Sequence, residues 1–242
     1  MDELKAVILN SGVGSRMGDL TTGNPKCLVR ISESETILSH QIRLLRSCGI
    51  GEFVITTGPF PDQIRERVAK DFPGLNVQYV HNPKFATTNY IYSMHLAADV
   101  IVDDVLLLHG DLVADSSVCE LCMQAGDAVV VNAHVPPPEK DFKGELRDGR
   151  VDKIAVYLDG PNCVFLLPMY KLSKSSMRIW MDEIARFVAR GNTKVYAEEA
   201  FNVVSARIPL APAYMAPDGI CMEIDTPEDL AVARKLLESR GT

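Results

Sequence analysis

Short apolar runs alternate with amphipathic helical patterns through the first half of the chain. The apolar runs predict five buried strands, at 5–10, 52–57, 76–80, 104–108 and 128–132. The intervening patterns predict four helices, at 36–48, 62–71, 91–101 and 116–125. Because strands alternate with helices, we expect an α/β fold with a mostly parallel sheet covered on both faces.

The second half of the chain has a less regular pattern. Residues 136–149 begin with three prolines and are rich in charge, which predicts a long loop. Residues 173–190 have the apolar spacing of an amphipathic helix, and a last helix begins at Thr226-Pro-Glu-Asp229. We therefore expect one domain over 1–242, with a substrate-covering subregion at 133–205.

Composition narrows the setting of this domain. The N-terminus lacks the long apolar run of a signal peptide, and no apolar stretch approaches the roughly 20 residues that span a bilayer. We expect a cytoplasmic protein with no membrane partner and with its six cysteines reduced. The formal net charge of −7 argues against a nucleic-acid-binding surface.

The segment LNSGVGSRM at 9–17, followed by Pro25-Lys26, is the strongest chemical signal in the sequence. Gly12 and Gly14 allow the backbone to approach phosphates, and Arg16 and Lys26 supply positive charge. A dinucleotide-binding motif would have a third glycine at position 17, where this chain has methionine, and the Gly-Lys-Ser/Thr of a Walker loop is absent.

This segment resembles the N-terminal motif of the sugar-phosphate nucleotidyltransferase superfamily, whose fold is a Rossmann-like α/β sheet of mostly parallel but mixed strands. In that superfamily the glycine-rich loop wraps a nucleoside triphosphate and the lysine contacts its α-phosphate. The resemblance implies catalytic roles for Arg16 and Lys26. It implies nucleotide binding by the loop residues Leu9, Asn10, Ser11, Gly12 and Gly14.

Two carboxylates complete the expected reaction centre. Asp111, in His109-Gly-Asp111, follows an apolar strand, and Asp225 precedes the last helix. Two separated carboxylates can hold one hard divalent ion against phosphates, and the resemblance implies that Asp111 and Asp225 bind Mg²⁺. His109 is expected to pack or to position other groups, because an acceptor oxygen that is already anionic needs no general base.

Residues 81–93 resemble a segment of the bacterial choline-phosphate and phosphonate cytidylyltransferases, and so do 139–144, 197–202 and 222–226. The short polar side chains of this segment suit a base edge or a ribose, and its tyrosines suit an acceptor pocket. The resemblance thus implies nucleotide binding by Thr88, Asn89 and Ser93 and acceptor binding by Tyr90 and Tyr92.

An acceptor that carries an ammonium group calls for a carboxylate or an aromatic face. Asp141, Glu198 and Glu199 are candidate carboxylates, and Lys143 is a candidate for the acceptor's anionic end. Choline sites often use an aromatic cage, but the only tryptophan, Trp180, lies at core spacing on a helix. This favours a primary amine over choline.

The leading hypothesis is a cytidylyltransferase that uses CTP and Mg²⁺ to transfer CMP to a small phosphonate or phosphate monoester, with 2-aminoethylphosphonate as the best match. Alternatives are a sugar-1-phosphate nucleotidyltransferase and a cytidylyltransferase for choline phosphate or for a phosphoramidate pathway. A non-catalytic regulatory homologue is disfavoured, because the lysine, the arginine and both carboxylates are present. A homo-oligomer or a fusion to another enzyme domain is compatible with the sequence.

Overall fold

The computed structural model describes residues 4–240, which form a central sheet between two layers of helices. The strands are β1 (Lys5–Asn10), β2 (Glu52–Thr57), β3 (Asn76–His81), β4 (Val105–His109), β5 (Leu112–Ala114), β6 (Ala128–Asn132), β7 (Lys143–Arg147), β8 (Arg150–Ala155), β9 (Cys163–Leu172), β10 (Ala211–Tyr214) and β11 (Cys221–Glu223). The α-helices are α1 (Ile37–Ser47), α2 (Pro61–Asp71), α3 (Tyr90–Leu96), α4 (Ser116–Gln124), α5 (Lys174–Ala189), α6 (Ala197–Val204) and α7 (Pro227–Ser239).

The main sheet has the strand order β10-β6-β9-β4-β1-β2-β3. β1 pairs in parallel with β2 and β4, and the pairs β2–β3 and β6–β10 are also parallel. β9 runs antiparallel to both of its neighbours, β4 and β6. The expected mostly parallel mixed sheet is therefore confirmed.

Alternate residues of the central strands pack on opposite faces of the sheet, as the pleat requires. Val7 and Leu9 of β1 belong to a core with α3, α5 and α6, where Trp180 is fully buried. Ala6 and Ile8 belong to a second core with α1, α2 and α4. The helices therefore cover both faces, and Trp180 is a core residue as its spacing predicts. None of the helices within 4–240 combines the length and the apolar character needed to cross a bilayer.

β9 is the largest element that the pattern of the sequence does not predict. Pro168 interrupts its apolar run, and a proline inside a run usually argues against an interior strand. The β6–β9 register shifts between Val129 and Val130, which pair with Tyr170 and Leu167. This bulge lies beside Pro168 and so lets the proline fit without breaking the strand.

Two expectations about element boundaries are wrong. The loop expected at 136–149 contains β7, which pairs with β8 and β9. The charged side chains of this segment therefore lie on a small extension of the sheet, outside its seven-stranded order. The helix expected at 91–101 begins with Asn89 as its N-cap and already ends at Leu96. The expected subregion at 133–205 stays a prediction.

β5 and β11 form a separate two-stranded antiparallel pair. Leu112 pairs with Glu223, and the backbone N–H of Ile224 donates to the carbonyl of Asp111 at 2.9 Å. This pairing brings the turn after β4 next to the segment that enters α7. The start of α7 is fixed by a capping box, in which the side chain of Thr226 accepts from the N–H of Asp229 and Asp229 accepts from the N–H of Thr226.

We predict that Thr226→Ala lowers the free energy of unfolding by about 0.5–2 kcal/mol, because it removes the side-chain acceptor at the start of α7. Urea denaturation of the two proteins measures the difference. Thr226→Ser keeps the hydroxyl and is expected to retain most of the stability. An equal loss in both variants would contradict the capping explanation.

Candidate active site

A cavity of about 400 Å³ opens where β1, β3 and β4 end. Ligands of open α/β sheets bind at this edge, outside the carboxyl ends of the strands. The residues that line the cavity are Leu9, Ser11, Gly12, Val13, Arg16, Asn82, Phe85, Thr88, Asn89, Tyr90, His109, Gly110, Asp111, Lys140, Asp141, Phe142, Val156, Tyr196, Glu223 and Asp225. A smaller adjoining cavity includes Asn10 and Lys26 in its lining.

The glycine-rich loop is held against β2 at its start and against Lys26 at its end. The N–H of Asn10 and the hydroxyl of Ser11 both donate to the hydroxyl oxygen of Thr56, at 3.0 and 2.9 Å. Gly14 has a φ of 70°, and a Cβ there would lie 2.8 Å from the Cβ of Lys26. A side chain at position 14 would therefore be strained and would push Lys26 away.

The turn after β4 is equally close to β1. The N–H of Gly110 donates to the carbonyl of Leu9 at 3.1 Å. A Cβ at position 110 would lie 1.9 Å from Oδ1 of Asn10, so only glycine allows this approach. The contact places the side chain of Asp111 beside the glycine-rich loop.

Lys26 links the two carboxylates that the sequence singles out. Its Nζ lies 2.5 Å from Oδ2 of Asp111 and 2.7 Å from Oδ1 of Asp225. Arg16 adds a second cation, since its Nη2 lies 2.8 Å from the same oxygen of Asp225. The four side chains form one charge cluster, which we call the Lys26 cluster.

Burial and mutual charge act against each other in this cluster. Burial lowers the pKa of Lys26, but the charges and hydrogen bonds of Asp111 and Asp225 outweigh it and hold that pKa above its usual value. For Asp111, burial raises the pKa, while Lys26 and His109 bring it below its usual value. The ionised form of Asp111 and the protonated form of Lys26 are therefore both favoured.

The donor set of the Lys26 cluster fits a divalent cation. Within residues 4–240, the buried Oδ1 of Asp111 has no hydrogen-bond partner, so one carboxylate oxygen is left available as a ligand. Ligand atoms of His109, Asp111 and Glu223 also lie within 4.8 Å of one another. The carboxylate oxygens of Asp111 and Asp225 are hard ligands that suit Mg²⁺, with water and phosphate completing its shell.

His109 and Glu223 form a buried hydrogen-bonded pair next to the cluster. Nδ1 of His109 lies 3.0 Å from Oε1 of Glu223. Burial lowers the pKa of His109, but Glu223, Glu198 and Asp111 together outweigh burial and raise that pKa to about 9. Burial and the charges of Asp111 and Asp225 raise the pKa of Glu223 to about 7, although His109 opposes them. The buried charges around the pair thus favour the protonated form of His109.

Four rings gather on another part of the cavity lining. Tyr90 contacts His109 and Tyr196, with ring centroids 4.8 and 5.8 Å apart, and Phe142 contacts His109 and Tyr196 at 6.2 and 5.1 Å. Behind them, the buried carboxylate of Glu198 accepts hydrogen bonds from the hydroxyls of Tyr90 and Tyr170. We call Tyr90, His109, Phe142 and Tyr196 the ring cluster.

The short polar residues near α3 are organised by Asn82. Its Nδ2 donates to the hydroxyls of Thr88 and Ser93, at 3.1 and 3.0 Å. Thr88 and Asn89 line the cavity, whereas Ser93 is fully buried and contacts Asn82. Ser93 can therefore act on a ligand only through Asn82, and Asn82 is a lining residue that sequence reasoning missed, although it lies directly after β3.

Among the expected acceptor residues, Tyr90 and Asp141 line the cavity. Tyr92 instead packs its ring against Nζ of Lys84, at 5.3 Å from the ring centroid. The Nζ of Lys143 is buried against the carbonyls of Glu139 and Val156, at 2.8 and 2.6 Å.

These contacts leave Tyr92 and Lys143 outside the lining, and Glu198, which is held by Tyr90 and Tyr170, and Glu199 are also absent from it. Lys140 is the lysine of the 139–144 segment that lines the cavity, and it forms an ion pair with Asp229 at 3.1 Å. Phe142, Tyr196 and Glu223 are further lining residues that the sequence did not single out. Phe142 and Glu223 each stand one or two positions from a residue that it did.

The fold and the lining together define a nucleotide-binding α/β domain with an acidic, metal-compatible centre. The chain belongs to the MobA-like NTP transferase domain family, whose match covers residues 6–168. The nucleotidyltransferase resemblance expected from the glycine-rich loop is therefore confirmed.

Two curated relatives are similar to this chain in sequence, and one solved structure is similar to it in fold. It is 35% identical over 133 residues to the CMP-5'-(3-aminopropyl)phosphonate synthase of Streptomyces rubellomurinus, over 55% of this chain and 21% of that protein. It is 29% identical over 104 residues to the choline-phosphate cytidylyltransferase of Streptococcus pneumoniae, over 43% of each chain. The chain thus matches less than half the length of these relatives.

The structure of the CTP:phosphocholine cytidylyltransferase from Streptococcus pneumoniae superposes on this chain with a TM-score of 0.77 at 19% identity. The superposition covers 97% of this chain and 99% of that one, which shows a shared fold.

We predict that Lys26→Met raises the affinity of the nucleotide-free protein for Mn²⁺ at least severalfold, because Lys26 is the cation that both carboxylates contact. Electron paramagnetic resonance of free Mn²⁺ during titration measures the change. Lys235→Met removes the same charge from an exposed position on α7 and is expected to have no effect. Unchanged or weaker binding by Lys26→Met would show that the lysine does not compete with a metal ion.

Proposed function

We propose that this chain is a CTP-dependent cytidylyltransferase. It transfers CMP to a small acceptor that has a phosphonate or phosphate monoester at one end and an ammonium group at the other, and it releases pyrophosphate. The observation that carries the proposal is a single cavity whose lining joins a glycine-rich loop and paired carboxylates to a cluster of aromatic rings and further carboxylates.

The loop and the basic residues supply the nucleotide end of the site. Backbone N–H groups around Gly12 and Gly14 face phosphate oxygens, and Arg16 adds charge against the outer phosphates. Arg16 pairs with Asp225 through Nη2, but 62% of its side chain is exposed, so the rest of its guanidinium can meet a phosphate. Lys26 stabilises the negative charge that develops at the α-phosphate.

Asp111 and Asp225 are the residues that would hold Mg²⁺. When bound there, the ion neutralises phosphate charge and polarises the α-phosphate. Thr88 and Asn89, positioned by Asn82, offer short polar groups to the cytosine or the ribose.

The chemical step is a direct displacement at the α-phosphorus. An anionic oxygen of the acceptor forms a new P–O bond, and the bond to the β-phosphate breaks and releases pyrophosphate. That oxygen carries no proton at neutral pH, so no general base is required. His109 is not needed as a base, and its Nδ1 is already hydrogen-bonded to Glu223. His109 orients Glu223 and packs in the ring cluster.

The acceptor end is argued from charge and from aromatic surface. Four carboxylates line the main cavity, at Asp111, Asp141, Glu223 and Asp225. Asp111 and Asp225 would hold the metal ion, and Glu223 is hydrogen-bonded to His109 among the ligand atoms around Asp111, so Asp141 is the carboxylate left to meet an ammonium group. The faces of Tyr90, Phe142 and Tyr196 add attraction for a cation. Lys140, in place of the expected Lys143, contacts the anionic end of the acceptor.

The best match to these groups is 2-aminoethylphosphonate, because a primary ammonium can both donate hydrogen bonds to carboxylates and lie against an aromatic ring. The similarity to an aminopropylphosphonate-related synthase supports this choice. Phosphocholine is the second candidate. The ring cluster favours it, since tyrosine and phenylalanine build the aromatic surface that Trp180 does not provide.

Pyrophosphate release in the presence of Mg²⁺ tests the proposal. Each of CTP, UTP, GTP and dTTP is combined with 2-aminoethylphosphonate, phosphocholine, phosphoethanolamine or glucose-1-phosphate. We expect release with CTP and an ammonium-bearing acceptor only. Release with glucose-1-phosphate would identify a sugar-phosphate nucleotidyltransferase instead. No release from a folded protein with any of the pairs would contradict the proposal.

We predict that Tyr196→Leu raises the KM for the ammonium-bearing acceptor by about 2- to 30-fold, because a cation–π contact contributes about 0.5–2 kcal/mol. The KM for CTP is expected to stay the same. Steady-state kinetics measures both. Ethylphosphonate lacks the ammonium group, so its KM should not respond.

Tyr214→Leu is the matched control, since Tyr214 lies exposed on β10 and is not among the lining residues. A Tyr196→Leu protein that binds the ammonium-bearing acceptor as the wild type does would remove Tyr196 from the acceptor site.

A further inference from the structure

Gln41 is a polar side chain on the buried face of α1, where only 1% of its surface is exposed. Its neighbours on this face include Leu38, Ile42 and Leu45, which pack into the core beneath the sheet. Burying an amide without partners is costly, so its hydrogen bonds determine what it does there.

The amide nitrogen of Gln41 donates two hydrogen bonds, and both go to the turn between β4 and β5. Nε2 of Gln41 donates to the carbonyl of His109 at 2.8 Å and to the carbonyl of Leu112 at 2.8 Å. These two carbonyls flank Gly110 and Asp111. One rigid amide group therefore fixes both ends of the turn that carries Asp111, from a helix far away in sequence.

Gln41 is one of three groups that hold this turn, and the only one of the three that holds it through a side chain. Gly110 is held against β1 through the carbonyl of Leu9, and the carbonyl of Asp111 accepts from Ile224. Gln41 supports the turn from a third direction. With these supports, the side chain of Asp111 reaches Lys26 beside Asp225.

We propose that Gln41 is a positioning residue for the metal centre: its amide holds the His109–Leu112 turn so that the carboxylate of Asp111 keeps the spacing to Asp225 that a divalent cation needs. The proposal rests on the proposed function, in which Asp111 and Asp225 hold Mg²⁺. Gln41 contacts neither substrate nor metal in this account. Residues that orient metal ligands from behind typically change metal affinity by 10–100-fold when they are replaced.

His40 provides a matched control on the same helix. Its Nε2 donates to the carbonyl of Ala114 at 2.7 Å, so it also ties α1 to the segment after β4, but beyond the turn. His40→Leu and Gln41→Met each remove buried hydrogen bonds between α1 and that segment. Only Gln41→Met releases the carbonyls next to Asp111.

The experiment measures Mn²⁺ binding in the presence of α,β-methylene-CTP, which cannot be turned over at the α,β position. Enhancement of water-proton relaxation reports the ternary complex separately from the nucleotide–Mn²⁺ complex. Wild type, Gln41→Met, His40→Leu and Asp111→Asn are compared. Steady-state kinetics adds the Mg²⁺ concentration for half-maximal rate and the KM for CTP.

We expect Gln41→Met to weaken Mn²⁺ binding by about tenfold or more. We also expect it to raise the Mg²⁺ requirement with little change in the KM for CTP, and to recover turnover at high Mg²⁺. His40→Leu should bind Mn²⁺ as the wild type does, even where it unfolds at a lower temperature. Gln41→Glu keeps the shape of the side chain and can donate at most one hydrogen, so it replaces Gln41→Met should that variant fail to fold.

Each contrary result has a distinct meaning. Wild-type Mn²⁺ binding by the Gln41 variants, together with weak binding by Asp111→Asn, overturns the role of Gln41 alone. An equal loss in His40→Leu reduces Gln41 to general support of α1 and also overturns the proposal. Wild-type binding by Asp111→Asn overturns both the Gln41 proposal and the metal centre of the proposed function.

Discussion

The short antiparallel pairing of β5 with β11 sets the geometry on which the charged centre depends. Asp111 comes just before β5 and Asp225 comes shortly after β11, so antiparallel pairing brings the two ends together. The hydrogen bond from Ile224 to the carbonyl of Asp111 fixes the register at this point. Three residues in each strand are thus enough to join carboxylates from the middle and the end of the chain.

The repulsion between the two neighbouring carboxylates is offset by two cations from the N-terminal segment, Lys26 and Arg16. Lys26 contacts both acids and Arg16 contacts Asp225, so the like charges are not left to repel each other in a partly buried site. Close approach at Gly14 allows Lys26 to reach this position. The chain has a net charge of −7, yet Lys26 and Arg16 lie together at this site, where positive charge suits a phosphate.

The sequence predicts the strands of the first half well, because each is a continuous apolar run between helical patterns. It does not predict β9, where Pro168 interrupts the run, or β5 and β11, which are too short for a periodic signal. The glycine-rich loop could be recognised because its residues are contiguous. The ring cluster could not, since Tyr90, Phe142 and Tyr196 come from three separate segments that meet only in the fold. The sequence also could not tell Lys143 from the nearby Lys140, because spacing does not show which ammonium is held by backbone carbonyls.

Tyr196 stands outside the N-terminal part of the chain that defines the family, which ends at residue 168. It occupies the position before α6, where its side chain makes no capping hydrogen bond, and 43% of its surface is exposed. We therefore expect its replacement to cost the helix and the Lys26 cluster little. If Tyr196 contacts the acceptor as proposed, a substitution at this one position would change which small molecule is accepted at little cost to folding, while the phosphate-binding end of the site stays as it is.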